Sequence, residues 1–345
     1  MLQKINWIDC WKGLAIVIFV ASNTLEIEIT KYIFWFHMPL FFFISGYLYK
    51  EKYDYLSFFK NKFFHLIVPY ISFLILFSLP TVAIYIYEFL QTKRSESVYL
   101  LFTFILKQLY GGQILSGEFD IFWFITSLFF TQQLYNFIYT KFGNYNSLIN
   151  IIVLNFYCLA MIDCWFFNDI RFPWNINVVL MALPFYWLGH MAYKKPAMFN
   201  FKKLVSIAIF MFIIQLLIDK WFIIDITFDM KSKNYGLPII NLFIAISGIV
   251  IVQALAKIVN RITFFNSLAY QLSTASMVIM YLHKPIQLGL EKSVFFNEAI
   301  FGIFTSLFIP YIIYKVTSNF SLTRKYFLGE FKSVSSIKVK SLSKV

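Results

Sequence analysis

Trp35-Phe36-His37-Met38-Pro39-Leu40-Phe41-Phe42-Phe43-Ile44-Ser45-Gly46-Tyr47-Leu48 is apolar almost throughout, yet it holds one imidazole, one proline, one serine and one glycine. In hydrocarbon or in a protein core each of those four needs a reason. Pro39 removes a backbone donor and predicts a bend. The Ser45-Gly46 pair predicts the close approach of another helix. His37 reads in two ways, as an interhelical hydrogen bond or as a group that handles protons.

The rest of the chain has the same character. Of its 345 residues 60% are hydrophobic and 14% charged, with a mean hydropathy of +0.70. Soluble domains run nearer 45–50% apolar and about 25% charged. The apolar excess extends along the whole length, which predicts an all-α polytopic membrane helical bundle of about ten transmembrane helices, each near the ~20 residues a bilayer needs. The expected spans are 12–29, 32–49, 66–90, 120–140, 147–166, 176–193, 204–222, 236–256, 268–288 and 297–316. The apolar segment 98–110 is short and reads as interfacial or re-entrant. The first helix is expected to act as an uncleaved signal.

Charge sets the orientation. Most of the 30 lysines and arginines fall on one side of this ladder, and most of the 17 acids on the other. Positive loops face the cytoplasm, so both termini are expected there, in the cell (inner) membrane. Residues 1–316 form the membrane domain and 317–345 a basic cytoplasmic tail drawn to anionic lipid. The net charge of +13 is assigned to these loops and not to nucleic acid. Cys10, Cys158 and Cys164 show no metal spacing, and Cys158 and Cys164 read as buried small residues. His37, His65, His190 and His283 have no paired spacing either, so no metal is expected.

Polar residues in the apolar runs are the candidates for chemistry. Lys12 and Asn23 lie eleven apart, on one helix face and roughly 16 Å apart along the axis. Asn23 has a bland alternative as a satisfied residue at a helix end. His37 follows on the next helix, so the two are expected to be neighbours near the outer face. Lys60-Asn61-Lys62-Phe63-Phe64-His65-Leu66-Ile67-Val68-Pro69-Tyr70 places cations at a cytoplasmic helix start. They read as an ordinary positive flank or as phosphate ligands. Gly111-Gly112-Gln113 marks a turn that could line a site. Glu118 and Asp120 are a helix cap or a pair of acid/base or sugar-hydroxyl ligands. Trp123 opens the next helix. His283-Lys284 is an intramembrane pair that needs a wet cavity, a partner or snorkelling.

Taken in order, Asp9-x-x-Lys12-Gly13, Phe36 to Tyr47, His65 to Tyr70, Phe122 to Leu128 and Tyr281 to Pro285 resemble the acyltransferase-3 family, bacterial membrane enzymes that move acyl groups, often acetyl, onto sugars. Leu183-Pro184-Phe185-Tyr186-Trp187-Leu188-Gly189-His190 resembles that family's Pro-Phe-Phe helix more weakly. The resemblance implies an acyl-coenzyme A donor, acetyl-coenzyme A above all, bound from the cytoplasm near Lys12, Lys62 and His65. It implies a hydroxyl of a cell-surface or lipid-linked carbohydrate as acceptor, with Trp123 and His283 at the acceptor. Membrane lipid and polysaccharide-assembly proteins are the implied partners.

The chain departs from the family pattern at telling places. The family's first helix carries Arg or Lys followed eleven residues later by a catalytic His; here that position is Asn23. A carboxamide does not titrate near neutral pH. On this reading the catalytic set is Asn23, His37 and Glu118, with His37 as base and Asn23 orienting the acyl oxygen. Lys62 and His65 stand where the family has two arginines. A second reading is a lapsed relative that binds or helps export a polysaccharide or lipid-linked sugar. A secondary transporter would need inverted halves, and no symmetry between halves is evident.

Overall fold

The computed structural model describes residues 7–196, 201–221, 227–290 and 299–331. Among them the chain is helical, with no strand beyond a single bridge between Asp229 and Asn234. The helices are α1 (Trp7–Ser22), α2 (Ile27–Phe34), α3 (His37–Tyr47), α4 (Tyr55–Lys62), α5 (Val68–Thr92), α6 (Ser95–Tyr110), α7 (Phe122–Phe142) and α8 (Asn146–Phe166). They continue with α9 (Val179–Lys194), α10 (Phe201–Trp221), α11 (Pro238–Val259), α12 (Thr263–Thr274), α13 (Ser276–Leu290), α14 (Ala299–Thr317) and α15 (Ser321–Phe327). Each of the ten apolar stretches carries helix. Six described helical segments are long and apolar enough to cross a bilayer, and α4 to α5, joined by a π-turn over Phe63–Ile67, count as one of them.

Several boundaries differ from expectation, each for a local reason. α1 stops at Ser22 because three successive side chains turn back on its last carbonyls. Ser22 Oγ and Asn23 Nδ2 both donate to Phe19 O, at 2.7 and 3.0 Å, and Thr24 Oγ1 donates to Val20 O at 2.8 Å. Such bonds compete with helix continuation. The expected helix 32–49 is two helices, and the break falls at Phe36, ahead of Pro39. Pro39 thereby occupies the first turn of α3, where its missing N–H costs nothing. The expected helix 268–288 is likewise divided at Ala275. Segment 98–110 is part of α6, whose 16 residues reach about 24 Å, short of a ~30 Å core. Cys158, expected inside, is exposed on α8, and Cys164 is half-buried.

The centre of the bundle is α1, α3, α9, α11 and α12 in direct contact. Glycines permit it. A Cβ on Gly46 would lie 1.9 Å from Tyr186 O, and one on Gly189 would lie 2.0 Å from Phe43 O, so α3 and α9 meet backbone to backbone. The approach predicted at Ser45-Gly46 is this crossing. Helices α5, α8, α10 and α14 form the outside and leave apolar residues such as Ile75, Leu154, Phe210 and Phe304 exposed. In water such a surface would be untenable; in lipid it is the expected one. Residues 332–345 of the expected tail lie outside the described set. The preceding part folds back onto the bundle: Phe327 meets Phe73 edge-on at 5.1 Å, and Phe331 lies 4.4 Å from Phe64 on the π-turn.

Candidate active site

The polar ends of α1, α3, α7 and α13 converge on a cavity of about 460 Å³. Asn23, His37, Trp123 and His283 all line it. His37 and His283 are buried, at 4% and 2% exposure. Each imidazole is held the same way. His37 Nδ1 lies 3.1 Å from Ile33 O, and His283 Nδ1 lies 2.8 Å from Met280 O and 3.2 Å from Ile279 O. A carbonyl can only accept, so Nδ1 carries a proton and donates it, which leaves Nε2 as the ring nitrogen available to a ligand. Phe19 joins the two rings, stacked near His37 at 6.4 Å and edge-on to His283 at 4.7 Å. The cavity therefore holds two imidazoles whose Nδ1 is committed to the backbone and whose Nε2 can accept a proton in the ring's neutral form. Asn23 uses one N–H on Phe19 O at the end of α1.

Loops from distant parts of the chain close the cavity. The 3-10 turn Gly112–Ile114 contributes Gln113 and Ile114. The segment 227–236, pinned by the Asp229–Asn234 bridge, contributes Asp229, Lys231 and Ser232. Asn175 ties these loops together. Its Oδ1 accepts from Gln113 N at 2.7 Å, its Nδ2 donates to Lys231 O at 3.1 Å, and its backbone carbonyl accepts from Ser127 Oγ at 3.1 Å. To do this Trp174 and Asn175 take left-handed backbone conformations, with φ of 56° and 50°. Two such residues in succession are strained, and strain of this kind collects at functional sites. Lys233, 1% exposed, anchors the same segment through the carbonyls of Phe167 and Ile170 and lies 3.6 Å from Asp163.

Glu118 is not brought to the cavity. It sits half-buried on the 3-10 turn Gly117–Phe119, while Asp120, two residues on, lines the cavity and accepts from Lys231 Nζ at 2.5 Å. The residues assigned to the donor are also divided. Lys12 lines a second cavity of about 210 Å³ with Ser45, Leu66 and Ser276. His65 lines a third of about 580 Å³ with Arg324, Lys325 and Glu330 from the folded-back segment. Lys62 lies over the Phe58 ring at 5.5 Å. The π-turn carrying His65 precedes Pro69, which supplies no backbone donor, and Gly329 packs against it: a Cβ there would be 2.8 Å from His65 Cα.

The first two cavities lie end to end along the same four helices. Ile16, Phe41, Phe124 and Met280 line the Lys12 cavity; Phe19, Met38, Trp123 and His283 line the other. Between them stands a layer of rings, Phe19 to Phe41 at 5.9 Å and Phe41 to Phe124 at 5.6 Å, both edge-on. Sequence reasoning found the helix residues of this site and missed Asn175, Arg171, Asp229 and Lys231. All four are loop residues with no local pattern; only the strained backbone marks Asn175, and that is invisible before folding.

The ordered motifs can now be set against known proteins. No curated protein and no solved structure matches the chain. The family model described as "Acyltransferase domain" matches residues 5–315, nearly the whole length and every helix that lines the first two cavities. The chain belongs to the acyltransferase-3 family.

Proposed function

We propose that this protein is a multi-pass membrane acyltransferase that moves an acyl group, acetyl in the first instance, from acyl-coenzyme A to a hydroxyl of a cell-surface or lipid-linked carbohydrate. The observation that carries this reading is the cavity with two imidazoles anchored through Nδ1, set on the helices that bear the family motifs. Ten spans with both termini in the cytoplasm place the Lys12 end inside and the Asn23 end outside, as the distribution of lysine and arginine favours.

In this mechanism the donor enters at the Lys12 end of the cell membrane. Lys12, Lys62 and His65, with Arg324 and Lys325 beside His65, hold its phosphates. The acyl thioester passes the Phe19–Phe41–Phe124 layer by side-chain rotation. His37 Nε2 takes the proton of the acceptor hydroxyl as its oxygen attacks the thioester carbon. Asn23, exchanging its long 3.4 Å bond to Ser22 Oγ for the ligand, and the Trp123 wall orient the acyl oxygen, on which negative charge develops. Collapse expels the coenzyme A thiolate, which recovers the proton from His37. His283 and Asp120 hold other acceptor hydroxyls, and Glu118 stays outside the cavity.

Purified protein in lipid nanodiscs, given labelled acetyl-coenzyme A and a broad panel of glycans, is expected to label at least one acceptor. No label on any of them refutes the reading. The lapsed-relative alternative is favoured by Asn23 and by the closed ring layer. Asn23→His separates the two: transfer that appears only in this variant marks a lapsed enzyme, while transfer in the wild type marks a working one.

A further inference from the structure

We infer that the acceptor bound in the outer cavity carries a negative charge, as a sugar carboxylate or a sugar phosphate; this rests on the acyl-transfer reading for the word acceptor, and on the cavity alone for the charge. Three cations line the cavity, Arg171, Lys231 and Lys284, against two acids, Asp120 and Asp229. Both acids are already engaged. Asp120 holds Lys231 Nζ at 2.5 Å, and Asp229 accepts from Ser232 Oγ at 2.6 Å and from Lys231 N at 2.9 Å. Lys231 is further held by Leu115 O at 2.6 Å. Arg171 and Lys284 are different. Among the described residues no carboxylate lies within 4.0 Å of either cation.

Their positions suit a ligand and not a structural pair. Lys284 is half-buried and lines the same cavity as His283, so a ligand held by its ammonium shares that cavity with the imidazole. Arg171 is exposed at the rim, and its own backbone is fixed because its carbonyl accepts from the Tyr110 hydroxyl. A neutral sugar would cover both cations without pairing either, which carries a desolvation cost. A carboxylate or phosphate oxygen pairs them, and the guanidinium fork matches both anions. The excess of one cation over the acids sets the sign of the field at the site and would draw such a ligand in.

The test is binding to the full-length protein in phosphatidylcholine nanodiscs. The probes are methyl glucuronide, glucose 1-phosphate and the neutral methyl glucoside, followed by saturation-transfer NMR. At least one anionic probe is expected to bind ten-fold or more tighter than the glucoside, with the difference shrinking as salt is raised. The stronger of the two identifies carboxylate or phosphate as the recognised group. Lys284→Met and Arg171→Gln should each remove most of that difference without weakening the glucoside; Arg171 is exposed, so its variant keeps the fold if Lys284→Met does not. Equal binding of all three probes, or an anionic preference untouched in folded Arg171→Gln, overturns the inference. Labelled acetyl transfer, measured in parallel, keeps the two claims apart. Anionic preference without transfer sinks the acyltransferase reading alone, and transfer to neutral glycans without that preference sinks this inference alone.

Discussion

Replacing Gly189 by Ala adds one methyl group and should cost this protein a large share of its stability. The added Cβ would lie 2.0 Å from Phe43 O, 2.9 Å from Phe43 C and 2.9 Å from Tyr47 N. All three are backbone atoms, so no side chain can rotate out of the way. Ordinary carbon–oxygen contact is near 3.4 Å, so α3 and α9 must part by roughly 1.4 Å, in a core packed at crystal-like density. Overpacking of this kind costs about 1–3 kcal/mol, and a backbone-to-backbone clash belongs at the top of that range. Gly289→Ala is the control. Among the described residues nothing lies within 4 Å of a Cβ there, and the residue is inside α13, so Ala should stabilise by up to about 1 kcal/mol. Thermal unfolding in detergent, read by tryptophan fluorescence, should show Gly189→Ala melting several degrees below wild type and Gly289→Ala at or above it. If both variants melt with the wild type, the α3–α9 crossing does not have the geometry described.

Three further outcomes follow from the site. Asn175→Ala strands the part-buried Gln113 amide and Lys231 carbonyl, at about 1 kcal/mol for each; faster proteolysis within 227–236, with little change in the helical circular dichroism, checks it. Phe41→Ala opens the ring layer between the two cavities, so acetyl-coenzyme A should be cleaved several-fold faster without acceptor, followed as free thiol; an unchanged rate would mean the layer is no barrier. Gly329→Ala places a Cβ 2.8 Å from Phe64 O at a φ of +64°, loosening the folded-back segment that brings Arg324 to His65. The expected result is a several-fold higher KM for acetyl-coenzyme A at constant kcat, from steady-state kinetics.

Much of this architecture is legible in the sequence because lipid demands it. Apolar runs near 20 residues can do little but span, and Ser45-Gly46 inside such a run has few uses besides a close crossing. Lys12, Asn23 and His37 are found by spacing along helices, where residue number converts directly to position. The exact breaks at Phe36 and Ala275 are harder to foresee: Pro39 marks a bend but not the residue where the helix restarts, and the polar residues from Gln271 to Ser276 read as easily as one stretch of a continuous helix. Hardest are the loops. Arg171, Asn175 and Lys231 look like ordinary flanking residues until the strained turn at Trp174 and the bridge at Asp229 bring them over the ends of α1 and α3. Glu118 and Asp120 show the limit well: two acids two positions apart, equal on paper, of which only Asp120 lines the cavity.

The central claim is that His37 Nε2 takes the acceptor proton. Its most direct test is the initial rate of acetyl transfer from acetyl-coenzyme A by wild type and by His37→Ala, each matched for thermal stability. Loss of a general base should lower that rate by about 10²-fold or more, with acetyl-coenzyme A binding unchanged. Equal rates in the two proteins would contradict the account.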